Sequence, residues 1–468
     1  MTTVLGIYLI VLTIVILFVI QADAVNERCQ LFSTRNFFLF GILLFQTVSG
    51  ALTLLTGETE RNSELNDYNF AAIAFCAILT IFVLLFLSLY AQADWLERRA
   101  VGRTRIRRLS QSRLVAAGVV LTSLGVISRF AGGSIPYVSV LLPQMAAGCL
   151  CAGAALIAMA WARSAWNLFI AAILGLAFAT SSAVLLVGAF GRRELVGLVL
   201  AIAWALYHEK WRLMPVTRLI PRLVVALVGL TAVFLVFSGS RVGGENVDRS
   251  LGQQVERIAT IDPRAVQEHL VAALSGQFAG GISMWIFDQR WHNGGYVPLH
   301  SLVYFTTMPI PRDFWPGKPE GLGLLVVDEA GVSGVSEGHS WGPGLVGHLS
   351  HDVVLLALPF YALILAWTFR YIDARVRWST SDPLTVVLFG SALGQVLGMP
   401  RGDIGLFAFN LVAAFAGVWL FGRLAGRMCM PIDRDAEEEM WTEATLEDGD
   451  LEADDEAAHQ TPETTSAR

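Results

Sequence analysis

Apolar residues gather in unbroken runs along this chain instead of alternating with polar ones, and polar or basic stretches separate the runs. Many of the runs reach about 17 to 25 residues, the length that carries a helix, rising about 1.5 Å per residue, across the hydrocarbon core of a bilayer. Lipid offers no partner to an open N–H or C=O, so spans of this kind are helices. The pattern predicts about eleven of them, at residues 4–20, 37–55, 70–91, 114–130, 138–160, 168–190, 195–207, 223–237, 345–369, 384–399 and 404–420. The expected fold is an all-α polytopic membrane protein. Its parts are N-terminal transmembrane helices (1–238), one large and partly helical polar loop (239–344), C-terminal transmembrane helices (345–421) and a tail (422–468).

Composition agrees, with 54% hydrophobic and 15% charged residues among 468. No basic stretch precedes the first run, and Ala22-Asp23-Ala24 imitates a cleavage site only loosely, so the run is expected to stay as an uncleaved anchor. Cys29, Cys76, Cys149, Cys151 and Cys429 fall in spans or short loops and the large loop holds none, which predicts neither a disulfide framework nor a cysteine metal site.

Arginine placement orients the spans, because basic residues near span ends stay in the cytoplasm. Arg98, Arg99, Arg103, Arg105, Arg107, Arg108 and Arg113 fill one loop. Lys210, Arg212, Arg218 and Arg222 fill a second, and Arg370, Arg375 and Arg377 a third. The acidic loop with Glu58, Glu60, Glu64 and Asp67 then lies outside with the large loop, and the N-terminus is outside and the C-terminus inside. This topology depends on the short run at 195–207, whose Trp204 and Tyr207, with Trp211 just beyond, suit an interface. From Asp433 onward lie 14 of the 39 acids and two of the 33 Lys and Arg, so the rest of the chain holds 25 acids against 31 bases. The tail reads as a disordered acidic extension. The membrane body is net basic, as a handler of anionic lipid would be, although positive-inside bias accounts for much of that excess.

Several arginines lie on the disfavoured outer side: Arg192 and Arg193 in Gly191-Arg192-Arg193-Glu194, Arg241, and Arg401 in Pro400-Arg401-Gly402-Asp403. A guanidinium at the outer interface can hold a diphosphate by bidentate hydrogen bonds. It can equally snorkel to headgroups or pair with Glu194 and Asp403. Within the large loop, Asp262-Pro263 and Gly276 bracket a helix through Val266, Leu270 and Leu274. The apolar segment 278–287 either dips into the interface or packs on the bundle. His348, His351 and Asp352 occupy the first turns of the span at 345–369.

The loop ends in Pro309-Ile310-Pro311-Arg312-Asp313-Phe314-Trp315-Pro316-Gly317-Lys318-Pro319, where four prolines stiffen the backbone around two cations. This stretch, with Gly295-Tyr296 before it, resembles the Pro-Arg-x-x-Trp-Pro-x-Lys-Pro signature of bacterial oligosaccharide repeat-unit polymerases, the O-antigen polymerase (Wzy-like) family. The rest of the chain is similar only in hydropathy. The resemblance implies a lipid-dependent (GT-C-like) glycosyltransferase architecture in the bacterial inner membrane, with a periplasmic loop over a cavity open to the bilayer. It implies transfer of a growing glycan from undecaprenyl diphosphate to the nonreducing end of a lipid-linked repeat unit. It also implies a chain-length regulator and a flippase as partners; no nucleic acid is expected as one.

Such a transfer leaves negative charge on the departing diphosphate, so cations fixed beside it stabilise the transition state. The candidates are Arg312, Lys318, Arg192, Arg193, Arg401 and Arg241. The prolines around Arg312 lower the entropy cost of fixing it, or serve only to end a helix at the surface. His339, and after it Glu337, are the candidate bases for the attacking hydroxyl, with His292 and His300 further back; an interfacial hydrogen-bonding role suits His339 equally. Trp315, Trp291 and Tyr296 are candidate sugar-stacking residues, although interfacial anchoring suits most aromatics of the loop. The acids of the outer side lack Asp-x-Asp or clustered ligand spacing, so neither a metal nor another cofactor is expected. A ligase that moves finished glycan to another acceptor would use the same donor. A flippase or transporter usually carries ionisable residues or broken helices deep in the membrane, often in internal repeats, whereas the expected span interiors here are almost free of charge and show no repeat.

Overall fold

The structure, a computed structural model, describes the chain apart from residues 27–28, 58–62, 102–108, 133–139, 187–191, 215–217, 219–220, 223–278, 313, 333–339, 380–381 and 430–468. Among the described residues the regular elements are helical. Eight helices are long and apolar enough to cross a membrane, which makes the chain a polytopic all-α membrane protein. They are α1 (Thr2–Val25), α2 (Thr34–Thr56), α3 (Tyr68–Gln92), α5 (Gln111–Gly132), α6 (Leu141–Arg163), α7 (Leu168–Leu186), α13 (Val354–Trp378) and α16 (Ile404–Cys429). Between them lie α4 (Asp94–Val101), α8 (Arg192–Glu209), α9 (Ala279–Asn293), α10 (His300–Thr307), α11 (Leu322–Glu329), α12 (Gly344–His351), α14 (Pro383–Gly390) and α15 (Leu393–Gly398).

Local chemistry sets several helix starts. Ser33 accepts from Asn36 N–H (3.2 Å) at the head of α2, and Asp67 accepts from Phe70 N–H (3.0 Å) at the head of α3. Asp382 accepts from Leu384 N–H (3.3 Å) ahead of Pro383, the first residue of α14. Inside the bundle α6 is buried along almost its whole length, and glycines bring its neighbours close. Gly148 lies against Ala414 of α16, while Gly153 meets Gly118 and Thr122 of α5, so an added methyl at either position would collide. Lipid tails are as apolar as leucine, so close backbone approach at small residues is what holds such helices together.

The chain has two polar ends. At one, Arg370 bonds Asp94 (2.8 Å) and Glu97 (2.6 Å), Arg375 donates to the Ala100 carbonyl (2.9 Å), and Arg163 pairs with Glu209 (2.7 Å). These belong to the basic loops of the sequence pattern or abut them. α3, α8 and α13 all reach this basic end with their C-termini, and α2 starts there, its Thr34 bonded to Asp373. The opposite end carries the starts of α3, α13 and α16 together with α9 to α12.

Among the described residues the structure departs from the expected spans at three points. The expected span at 345–369 is two helices: α12 stops at His351, Val353 takes a left-handed conformation (φ 67°), and the crossing helix begins at Val354. A β-branched residue in that region is strained, and the Asp352 side chain holds the turn by accepting from Ser301 N–H (2.8 Å) and from the Tyr361 hydroxyl. The expected span at 384–399 breaks after α14. There the Trp204 indole takes the Val386 carbonyl (3.0 Å) and the Ser391 hydroxyl takes the Leu388 carbonyl (2.7 Å), removing acceptors from the helical ladder. The short run at 195–207 lies within α8, whose 18 residues extend about 27 Å but which, with Arg192, Arg193, Glu194 and Glu209 at its ends, is not among the eight helices apolar enough to cross. The apolar segment at 278–287 forms most of α9 and packs on the bundle, with Gly280 N–H donating to Ser49 Oγ (3.1 Å). The four described cysteines, Cys29, Cys76, Cys149 and Cys151, are free and buried. The expected span at 223–237, the helix through Val266, Leu270 and Leu274, and the acidic tail from Asp433 lie outside the described residues.

Candidate functional site

At the end opposite the basic loops, α9, α10, α12 and the 398–403 turn enclose a buried polar cluster. The turn caps α12: Gly344 N–H donates to the Arg401 carbonyl and Leu345 N–H to the Pro400 carbonyl, both at 3.0 Å. Gln46 of α2 also donates to the Pro400 carbonyl (2.7 Å), and Ser283 of α9 to the Pro343 carbonyl (2.8 Å). Gly344 accepts the left-handed conformation (φ 69°) that this entry demands, and a side chain there would strike Gln46 and Ser283.

α12 thereby presents His348 and His351 on one side, with Asp352 following. His348 Nε2 accepts from Ile404 N–H (3.2 Å), so its proton sits on Nδ1 and points at Ser301 Oγ (2.6 Å). Burial pushes the His348 imidazole down to about 4, so the ring is neutral near pH 7. His351 Nδ1 accepts from Arg290 Nε (2.9 Å). Burial first, then Arg290, His300 and His348, push His351 down to about 3, and the neutral ring carries its proton on Nε2. Arg290 is itself buried, its Nη2 lying 2.7 Å from both carboxylate oxygens of Glu329. Burial lowers His300 too, while the nearby Asp403 carboxylate opposes that shift. Burial raises the carboxyls of Asp352 and Asp403. Asp403 accepts from Leu406 N–H (3.2 Å) at the head of α16, and its Oδ1 lies 4.0 Å from His348 Nε2.

Three buried residues of the cluster each keep one polar atom without a partner: His300 Nδ1, His351 Nε2 and Asp352 Oδ1. One ligand-type atom of each lies within 4.8 Å of those of the other two, a grouping of the size that holds a metal ion. The donor set does not suit one. A ligating imidazole needs a lone pair on the nitrogen facing the metal and donates its other N–H outward, whereas Arg290 occupies the outward lone pair of His351 and leaves a proton facing in.

The proline-rich segment borders this cluster. Gly321 lies against both Asp403 and Tyr304, and the Tyr304 ring is parallel to His300 at 6.5 Å. Arg312 is exposed, 3.3 Å from Glu320 and 3.5 Å from the Pro316 carbonyl. Lys318 closes the segment on itself, donating to the carbonyls of Ile310 (2.7 Å) and Met308 (3.4 Å). Burial, followed by Arg312, lowers its pKa. Trp315 and Tyr296 are exposed; Trp291, also exposed, stacks on Phe287 and faces Phe70 of α3. Arg193 pairs with Glu194 (2.9 Å) and lies 4.8 Å over the Phe407 ring, which in turn packs on Gly398 and Gly402. Arg401 lies 5.8 Å over Phe45. Arg193 thus borders the turn that carries Arg401, and Arg192 is the first residue of α8. His339, Glu337 and Arg241 lie outside the described residues.

The sequence pattern marks His348, His351 and Asp352 only as residues near a span entry, and gives no role to Arg290, Ser301 or Tyr361. The available signal was three ionisable residues within five positions at the head of an apolar run, an expensive placement that calls for partners. Comparison with protein-family models, with curated proteins and with solved structures finds no match to this chain.

Proposed function

We propose that this chain is an inner-membrane glycosyltransferase of the lipid-dependent (GT-C-like) kind, joining undecaprenyl-diphosphate-linked oligosaccharide units into a polysaccharide on the periplasmic side. The observation that carries the reading is the arrangement of one polar end. There the proline-rich segment with Arg312, the turn with Arg401 and the head of α8 with Arg193 surround a buried His/Asp cluster, opposite the basic loops. In this reading the cations hold the donor diphosphate and stabilise the charge that develops as it leaves. The exposed face of the 309–319 segment, with Trp315 and Tyr296, receives the glycan. Chain-length regulator and flippase are the partners this reaction would use.

Arg312 gives a clean test. It is about half exposed and its pair with Glu320 is a surface pair, so removing it changes stability by less than about 1 kcal/mol. Arg312→Ala, expressed in cells lacking the gene and compared with wild type at equal membrane abundance, is expected to shorten the glycan and accumulate single repeat units, with turnover down about 10-fold or more. Full-length polymer from both Arg312→Ala and Arg193→Ala would remove the diphosphate-binding assignment. Loss of glycan attachment with normal chain length would turn the reading to a ligase.

A further inference from the structure

The three unpartnered atoms at the heart of the cluster have complementary characters. His351 Nε2 carries a proton, because Arg290 Nε donates to Nδ1 of the neutral ring. Asp352 Oδ1 is the open oxygen, since the Ser301 N–H and the Tyr361 hydroxyl both bond to Oδ2, and in the ionised carboxylate it is an acceptor. His300 Nδ1 is a ring nitrogen without a partner. The residues are 2%, 0% and 6% exposed respectively. Three polar atoms left open in a buried site are costly unless a guest satisfies them. A hydroxyl oxygen fits: it accepts from His351 and donates to Asp352.

Resting on the glycosyltransferase reading, we infer that His351, Asp352 and His300 form the binding site for the acceptor sugar's hydroxyl, with Asp352 as the general base. As the hydroxyl oxygen bonds to the donor's anomeric carbon, its proton passes to Asp352 Oδ1. The bond from that carbon to the diphosphate oxygen breaks, and its electron pair leaves with the lipid diphosphate. His351 Nε2–H orients the attacking oxygen, and His300 Nδ1 accepts from a neighbouring hydroxyl of the same sugar. Arg290 and Glu329 are positioning residues, since they keep the proton of His351 on the inward nitrogen. The segment at 297–299 is tied to the cluster by Val297 N–H to the His351 carbonyl (3.1 Å) and by a longer bond from Leu299 N–H to the Asp352 carbonyl (3.5 Å). It must part for a sugar to enter.

The test uses the full-length protein in nanodiscs and the lipid-linked repeat units that accumulate in cells lacking the gene. Asp352→Asn keeps the shape and an acceptor for Ser301 and Tyr361 but cannot take the proton, and turnover is expected to fall by about 100-fold or more. Turnover within about 3-fold of wild type would overturn the assignment. Tyr361→Phe, which removes a bond to the other oxygen, separates catalysis from architecture: it is expected to lower thermal stability more than turnover. Equal loss of turnover in Tyr361→Phe and Asp352→Asn would overturn a base role. If Asp352→Asn does not fold, Asp352→Glu takes its place, with an expected loss of about 10-fold and an unchanged rate as the contrary result. Should wild type itself leave the repeat units unjoined, the glycosyltransferase reading fails, separately from the base assignment.

Discussion

Asp373→Ala is expected to cost about 3 kcal/mol and to lower the thermal midpoint of the detergent-solubilised protein by about 5 °C or more. Asp373 lies on α13 at the basic end and gathers four donors: Thr34 N–H (2.7 Å), the Thr34 hydroxyl (2.7 Å), Arg35 N–H (3.2 Å) and the Tyr90 hydroxyl (2.8 Å). Two of these are first-turn N–H groups of α2, so a carboxylate on one crossing helix caps the start of another and meets the positive end of its dipole. Thr34 is fully buried and Tyr90 almost so, which means that alanine leaves these donors dry and unpaired. Asp373→Asn keeps an acceptor and is expected to lose about half as much. A midpoint unchanged by Asp373→Ala would show that α2 and α13 are held together by apolar packing alone.

Asp288→Ala is expected to cost a similar amount, about 3 kcal/mol, and in addition to reduce turnover at the candidate site. Its carboxylate accepts from Asn66 N–H (2.7 Å), Asn66 Nδ2 (2.9 Å) and Asp67 N–H (3.1 Å), with His292 Nδ1 at 3.3 Å. These bonds tie the middle of α9 to the entry of α3, and Arg290, two residues along, depends on that placement to reach His351 and Glu329. Activity and thermal midpoint measured on one preparation decide the point. A lower midpoint with full turnover would mean that α9 does not position the site.

Eight of the eleven expected spans correspond to helices long and apolar enough to cross, and these and the two polar ends were legible because bilayer length and arginine bias are strong physical filters. Segment 278–287 was open between interface and bundle because apolar content alone does not say what covers it; Gly280 against Ser49 and Gly50 settles it on the bundle. The break at 352–353 was hidden by an otherwise apolar run. It depends on contacts from Ser301 and Tyr361, 51 and 9 residues away, that no local pattern encodes. Of the cations singled out by position, Lys318 bonds carbonyls of its own segment while Arg312 stays exposed. Both are Lys or Arg within one proline-rich stretch, and only the folded loop tells them apart. Arg290 is not legible in the sequence because nothing in Asp288-Gln289-Arg290-Trp291-His292 distinguishes a buried arginine from a solvated one.

The most direct test of the central claim is reconstitution of the full-length chain in liposomes with the lipid-linked repeat units that accumulate when the gene is deleted, followed by separation of the glycans by length. The account predicts a ladder of two or more joined units with release of the lipid diphosphate, absent from protein-free liposomes. Units left single, whether untouched or merely moved across the bilayer, would contradict it.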